Sequence, residues 1–254
     1  MTEQNATRWA VACAAPLVLL ALLVFVIALL VGAGFVISLI VGLVLAAIVA
    51  AVLWFGAEAI SSKLIGATSP GSSMHPRLAN AVEELCARTG VSEPQLLMVN
   101  SDFPDAVAYG TSPSSARLAV TNGLLNQLSV VELEGVIARE LGRIRSGAIR
   151  FDTLGVAFVR APLALFGGLG AKVVDWARGD DREVQDDLVG VDITRYPPGL
   201  VSALSTIRSS RASSAGSVPG SKLTTHLWVR GQRDRAEQPG QWSLDERIAV
   251  LQEL

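Results

Sequence analysis

From Trp9 to Ala57 the chain contains no Asp, Glu, Lys, Arg or His. A transmembrane helix needs about 20 mostly apolar residues. In hydrocarbon the backbone polar groups must be satisfied within the segment itself, which leaves the helix as the natural form for such a run. This run is long enough for two helices. Gly32 and Gly34 interrupt it near its middle, so the spacing predicts spans at about 10–31 and 35–56 joined by a tight turn. A cleaved signal peptide would have an apolar stretch of about 7–15 residues with no second span directly behind it. Half of the residues are hydrophobic and 17% are charged, and this run is where the apolar excess is concentrated. An integral membrane protein is the expectation, with the lipid bilayer as its first partner.

Arg8 precedes the first span and Lys63 follows the second, while the turn at 31–34 has no charge. Positive flanks favour the cytoplasmic side, which predicts both termini inside and a cytoplasmic water-exposed domain. Cys13 falls within the first span and Cys86 in an amphipathic stretch, a placement that disfavours a disulfide and agrees with a reducing compartment. The net charge of -2 gives no electrostatic footprint for nucleic acid, which is not an expected partner.

Beyond the hairpin (1–63) and a Gly/Ser/Pro/Thr linker (64–74), residues 75–254 read as one α+β, mainly helical domain. Leu78, Val82 and Leu85 recur at helical spacing from His75 to Thr89, with Pro76 at the start and Gly90 past the end. Residues 95–100 and 117–121 suit short strands, and the segment between them is broken up by Pro104, Gly110 and Pro113. Ser129 and Glu132 form a capping box ahead of Leu133, Val136, Ile137, Leu141 and Ile144, which marks a second helix.

That second helix carries Ala138-Arg139-Glu140-Leu141-Gly142-Arg143, and here the chain resembles the HtpX-like membrane zinc metallopeptidases, related to the CAAX-prenyl-protease type. The resemblance takes in the hairpin, His75-Pro76-Arg77-Leu78, the segment Phe103 to Gly110, Thr121 to Leu125 and Glu132 to Val136. It continues through Glu183 to Asp187, Tyr196 to Leu200, His226 to Trp228 and Glu246 to Ile248. It implies a zincin-like metallopeptidase domain and a bacterial-type inner or cell membrane location. The family motif is His-Glu-x-x-His, with two zinc-binding histidines and a general-base Glu. By the resemblance Glu140 holds the catalytic general-base position, Glu183 the third-ligand position, and Asp187 the acidic position that follows it. Arg139 and Arg143 stand where the metal-binding histidines belong.

A guanidinium is always protonated and has only donors, so it offers no lone pair to a metal. One inherited ligand is too few for a catalytic zinc, which takes three protein ligands and a water. The chain's two histidines, His75 and His226, sit at no helical spacing from Glu140. His226 is expected in a strand. No cofactor is therefore expected, and zinc only if the site is completed in a non-standard way. The lost metal would have contributed two positive charges, and two guanidinium groups contribute the same. Arg139 and Arg143, four apart, share a helix face and could form a charge-assisted network with Glu183 and Asp187. The competing expectation leaves both arginines in water beside Arg145 and Arg150.

Residues 153–176 are largely apolar but contain Arg160 and Pro162. A single crossing there would separate Arg139 from Glu183, and a central charge is costly in lipid. The alternatives are a re-entrant or interfacial hairpin around Gly167, Gly168 and Gly170, or a helix packed on the domain. Helices are expected at about 181–192 and 200–207, a flexible loop at 209–221, and a capping box at Ser243 and Glu246 opening a terminal helix. Two functions follow. The first is a pseudoprotease acting by binding in membrane-protein quality control, on an active homologue, another quality-control protein or an unfolded substrate. The alternative is an active membrane-bound zinc metalloendopeptidase. Asp105 stands where the family usually has Asn in its substrate-edge segment.

Overall fold

The computed structural model describes residues 3–70, 75–179, 181–213, 222–230 and 242–254. Two long helices, α1 (Glu3–Leu30) and α2 (Phe35–Ile65), form an antiparallel hairpin. Gly32 takes φ +91° in the turn between them, a conformation open to glycine and costly for most other residues. Leu22, Leu23, Val26, Ile40 and Phe55 point outward along the pair, and both helices are long and apolar enough to cross a membrane. The second helix does not end near residue 56 as its composition suggested. Ala57, Ser61 and Ile65 are buried against the rest of the protein, so the helix continues through this polar stretch. It stops at Gly66, whose N–H bonds the Ser62 carbonyl at 3.0 Å in a left-handed cap.

Part of the linker is also ordered onto the fold. Thr68 and Met98 exchange two backbone hydrogen bonds of 2.8 Å at a sheet edge. Helix α3 (Pro76–Thr89) follows, with Pro at its first turn and Gly90 as its left-handed cap. Strands β1 (Gln95–Val99), β2 (Ala106–Tyr109) and β3 (Arg117–Thr121) make a mixed sheet in the order β1-β3-β2. β1 runs parallel to β3 and β2 antiparallel to it, with Ala106 opposite Val120. β2 lies in the segment that the prolines and glycine were expected to break up. Pro104 and Gly110 delimit this strand from outside, and its four residues are all buried, which removes the alternation that would have marked it.

Helices α4 (Asn122–Gln127) and α5 (Val130–Arg145) come next. Both halves of the expected capping box open α5: Ser129 N–H donates to Glu132 at 2.7 Å and Glu132 N–H donates to Ser129 Oγ at 3.4 Å. From Gly135 to Ile144 every residue of α5 is buried, making it the central helix. Its apolar side joins Leu78, Leu85, Leu118 and Leu204 in the main core.

Residues 153–176 do not cross the hairpin direction once. Helix α6 (Ala148–Gly155) passes into a π-helical turn at Val156–Arg160 and a 3₁₀ segment at Pro162–Phe166. The chain reverses at Gly167, φ +65°, and returns as α7 (Leu169–Arg178). The π turn lies on α2 and α7 lies on α1, with Trp9, Phe158 and Val174 in one buried cluster. Arg160 is buried: its Nη1 meets His226 Nδ1 at 2.9 Å and its Nη2 donates to the Lys222 carbonyl at 2.8 Å.

Three helices complete the chain: α8 (Arg182–Thr194), α9 (Pro197–Ser213) and α10 (Leu244–Gln252), the last opened by the Ser243/Glu246 capping box. Helix α9 corrects the expected loop, since residues 209–213 are helical and 214–221 lie outside the described residues. Ser209 and Ser210 keep the turn by donating to the Thr206 carbonyl at 2.9 Å and to Gln127 at 2.6 Å, while Arg208 pairs with Asp245 of α10. His226 is a second correction. It sits in a 3₁₀ segment, Lys222–Leu227, where burial against Arg160 overrides the apolar run that resembled a strand.

Candidate functional site

Helix α5 meets α8 at unusually close range, and two glycines permit it. A Cβ on Gly190 would lie 2.8 Å from the Arg139 Cα, and one on Gly142 would lie 2.5 Å from a Val189 methyl. The approach brings the arginine face of α5 onto Asp186 and Asp187 of α8. Arg139 and Arg143 are each 1% exposed, which excludes the expectation that they face water.

Arg139 donates from Nε to Asp187 at 2.7 Å and from Nη1 to Glu140 at 2.5 Å. Arg143 donates from Nη1 to Glu140 at 2.7 Å and to the Leu227 carbonyl at 2.9 Å. Its Nη2 reaches Asp152 at 2.8 Å and its Nε faces Asp186 at 3.3 Å. Asp187 is also gripped by Arg247 of α10, through Nε at 2.6 Å and Nη2 at 2.7 Å. Arg178 pairs with Asp152 at 3.2 Å and Arg182 with Asp186 at 3.2 Å. Glu183 is not paired with Arg139 or Arg143, its two expected partners: its ion pair is with Arg178, at 4.0 Å. It starts α8, one turn before Asp187, so it lies beyond the reach of α5's arginines and beside the end of α7. Five arginines thus face five carboxylates, Glu140, Asp152, Glu183, Asp186 and Asp187. Charge balance of this kind is what allows so many ions to be buried together.

Burial alone would depress both guanidinium groups. Asp187, Glu140 and Asp186 instead hold Arg139 above its ordinary value, and Glu140, Asp152 and Asp186 do the same for Arg143. Asp152 is pushed upward by burial but held well below the usual carboxylate range by Arg178, Arg143 and Arg182. His226 is driven well below its usual value by burial and by Arg160 and Arg178, so it is neutral. Because a guanidinium can only donate, His226 Nδ1 is the acceptor and its proton sits on Nε2, 3.4 Å from the Asp152 carbonyl.

Glu140, the general-base position, is 0% exposed, and both its oxygens are engaged. One of them also accepts the Ala108 N–H of β2 at 2.6 Å. Three further groups along this edge are also hydrogen-bonded. Gly110 N–H donates to Thr153 at 3.0 Å, Ala106 N–H to Asp105 at 2.9 Å, and the Ala106 carbonyl accepts from Val229 at 3.1 Å. Asp105 lies at the start of that edge, 3.4 Å from Arg230, and burial raises its pKa to about 6 against the opposing pull of Arg230.

A zinc ion does not fit this cluster. Among the described residues no group of three or more His, Cys, Asp or Glu could hold a metal. The oxygen atoms nearest the ligand positions already accept from guanidinium groups, and a divalent ion would be set among buried cations. Neither histidine supplies a ligand: Nδ1 of His226 is taken by Arg160, and His75 lines a cleft along β1, at the sheet edge opposite β2. Asp152, Asp186, Arg178, Arg182 and Arg247 were not foreseen as members of the site. Arg247 lies inside the Glu246-Arg-Ile248 segment, and Asp186 adjoins Asp187, which was the one available signal for each.

The described fold is a hairpin of two long apolar helices followed by a mainly helical domain with a small three-stranded mixed sheet. No family model matches the chain. Its sequence is 29% identical over 247 residues to the protease HtpX homolog of Tropheryma whipplei (strain Twist), covering 84% of each chain. It is 36% identical over 140 residues to the protease HtpX homolog of Listeria innocua, covering 53% of this chain and 46% of the relative. The corresponding protein of Pediococcus pentosaceus is 33% identical over 183 residues, 57% of this chain and 61% of the relative. The chain is a distant homologue of the HtpX proteases.

Proposed function

We propose that this chain is a membrane-anchored pseudoprotease, an HtpX homologue that has lost catalysis and acts by binding in membrane-protein quality control. The observation that carries the reading is the pair Arg139 and Arg143, buried at the ligand positions and clamped on Glu140 and Asp187. Hydrolysis by the family mechanism needs a metal-bound water at reduced pKa and a base able to take its proton. Here the base position is sealed between two guanidinium groups, and the Ala106, Ala108 and Gly110 N–H groups along the outer edge of β2 are hydrogen-bonded within the chain. Binding would then use surfaces other than that edge. An active homologue or another quality-control membrane protein is the class of partner this reading favours, with the domain on the cytoplasmic side, as the Arg8 and Lys63 flanks suggest.

The test is metal content by elemental mass spectrometry, with a casein-type proteolysis assay, on detergent-purified protein and on an Arg139→His, Arg143→His double variant. Wild type without zinc and without cleavage, beside a variant that gains zinc, is the expected result. One zinc per wild-type chain with chelator-sensitive cleavage would overturn the reading.

A further inference from the structure

Near the charged end of the hairpin, α1 and α2 leave between them an apolar groove of about 430 Å³. Ala14 and Leu17 form one wall, Ala51 and Trp54 the other, and Leu154 and Phe158 reach into it from α6 and the π turn. Its walls belong to the uncharged run that ends at Ala57, so most of it lies at hydrocarbon depth. Trp54 is near the end of that run, the level at which tryptophan settles at a membrane interface. The Arg150 guanidinium lies over the Trp54 ring, 5.3 Å from its centroid. Arg150 is exposed, and among the described residues no carboxylate pairs with it.

We infer that this groove holds one acyl chain of an anionic phospholipid, whose phosphate is bound by Arg150. The shape and the charge each favour this occupant. Toward the hairpin turn the two helices come into direct contact, where a Cβ on Gly42 would meet the Ala21 carbonyl at 2.7 Å, so the groove is bounded on that side. The narrow crease between two antiparallel helices accepts a flexible chain. A partner helix, about 10–12 Å across with its side chains, would rest on the rim. The lining is almost wholly apolar and offers a peptide only the Cys13 thiol and the Trp54 indole N–H. Among the described residues the charged group beside it is the Arg150 cation at headgroup level, next to a ring that keeps its side chain in place. Anionic lipids are enriched in the cytoplasmic leaflet, and a single basic residue near that surface changes lipid binding by about fivefold.

The experiment uses the full chain in non-ionic detergent, with phosphatidylglycerol or phosphatidylcholine of the same acyl composition added and retained lipid counted by native mass spectrometry. Wild type should retain phosphatidylglycerol about fivefold better than phosphatidylcholine. Arg150→Gln should erase that preference while keeping chain binding, and Ala51→Trp, which fills the groove, should remove both. Arg145→Gln, another exposed arginine, should behave as wild type, and unchanged far-UV circular dichroism and elution volume would certify the fold of each variant. Equal retention of the two lipids by wild type would overturn the proposal, as would an undiminished preference in Arg150→Gln. A photo-crosslinker at position 51 that captures a membrane protein and no lipid would overturn it too, and assign the groove to a helix.

Discussion

Arg143 offers the sharpest test of the buried network, because one side chain donates to three acceptors and pairs with a further carboxylate. Its two terminal nitrogens donate to Glu140, Asp152 and the Leu227 carbonyl, and its Nε faces Asp186 as an ion pair at 3.3 Å. Arg143→Met keeps most of the volume but removes the cation, leaving carboxylates buried with one counter-charge fewer. Breaking one partner out of a buried ion cluster costs about 3–5 kcal/mol. For a unit of this size each kcal/mol moves the thermal midpoint by about 2–4 °C, so a fall of roughly 6–20 °C is expected. Arg143→Lys keeps the charge but cannot span the same acceptors, since an ammonium is a single point on a flexible stem. Its cost should fall between wild type and Arg143→Met. The assay is thermal unfolding in detergent followed by tryptophan fluorescence, to which the buried Trp228, next to Leu227, should contribute. A midpoint for Arg143→Met within about 1 °C of wild type would refute the reasoning, because the carboxylates could not then depend on this guanidinium. A Lys variant indistinguishable from wild type would refute the geometric half of it.

Other outcomes follow from the same geometry. Gly190→Ala should destabilise by about 1–3 kcal/mol, because the new methyl meets Arg139 backbone at 2.8 Å and helices must part, and the same thermal assay reads it. The folded-state pKa of His226 is depressed, so its contribution to stability is present above about 6.5 and is lost as pH falls below that value; His226→Asn should flatten this acid limb. Asp105 has the opposite sign: its folded pKa is raised to about 6 from 3.8, so its contribution is full below the lower value and is lost as pH rises through the higher. That loss amounts to about 3 kcal/mol at most, at about 1.4 kcal/mol per pKa unit. A denaturation series from pH 4 to 8 should show the wild-type slope reduced in Asp105→Asn, and an unchanged slope would show that the carboxyl is already ionised at pH 4.

Much of the fold was legible in the chain because it is written in local patterns. The capping boxes at Ser129 and Ser243, the helix from Pro76 to Gly90 and the strands at 95–99 and 117–121 all depend on neighbours in sequence. The missed elements depend on distant partners. β2 lacks alternation because both its faces are covered, and residues 209–213 stay helical through contacts to Gln127 and Asp245. His226 was misplaced in a strand for the same reason: Arg160, 66 residues away, decides its surroundings.

Two things follow from the amino-acid order alone. An uncharged run from Trp9 to Ala57 must hide its backbone in helices, whatever follows it. Arginine at 139 and 143 removes two lone-pair donors from the motif, since guanidinium chemistry does not depend on context. Only the tertiary structure decided where those charges go. The glycine-permitted contact of α5 with α8 and the docking of α10 give Arg139 and Arg247 a shared Asp187, while Glu183 is left to Arg178. Pairing of buried ions is a property of space: each carboxylate takes whichever cation the packing brings within about 4 Å, and sequence spacing fixes that distance only within a single helix.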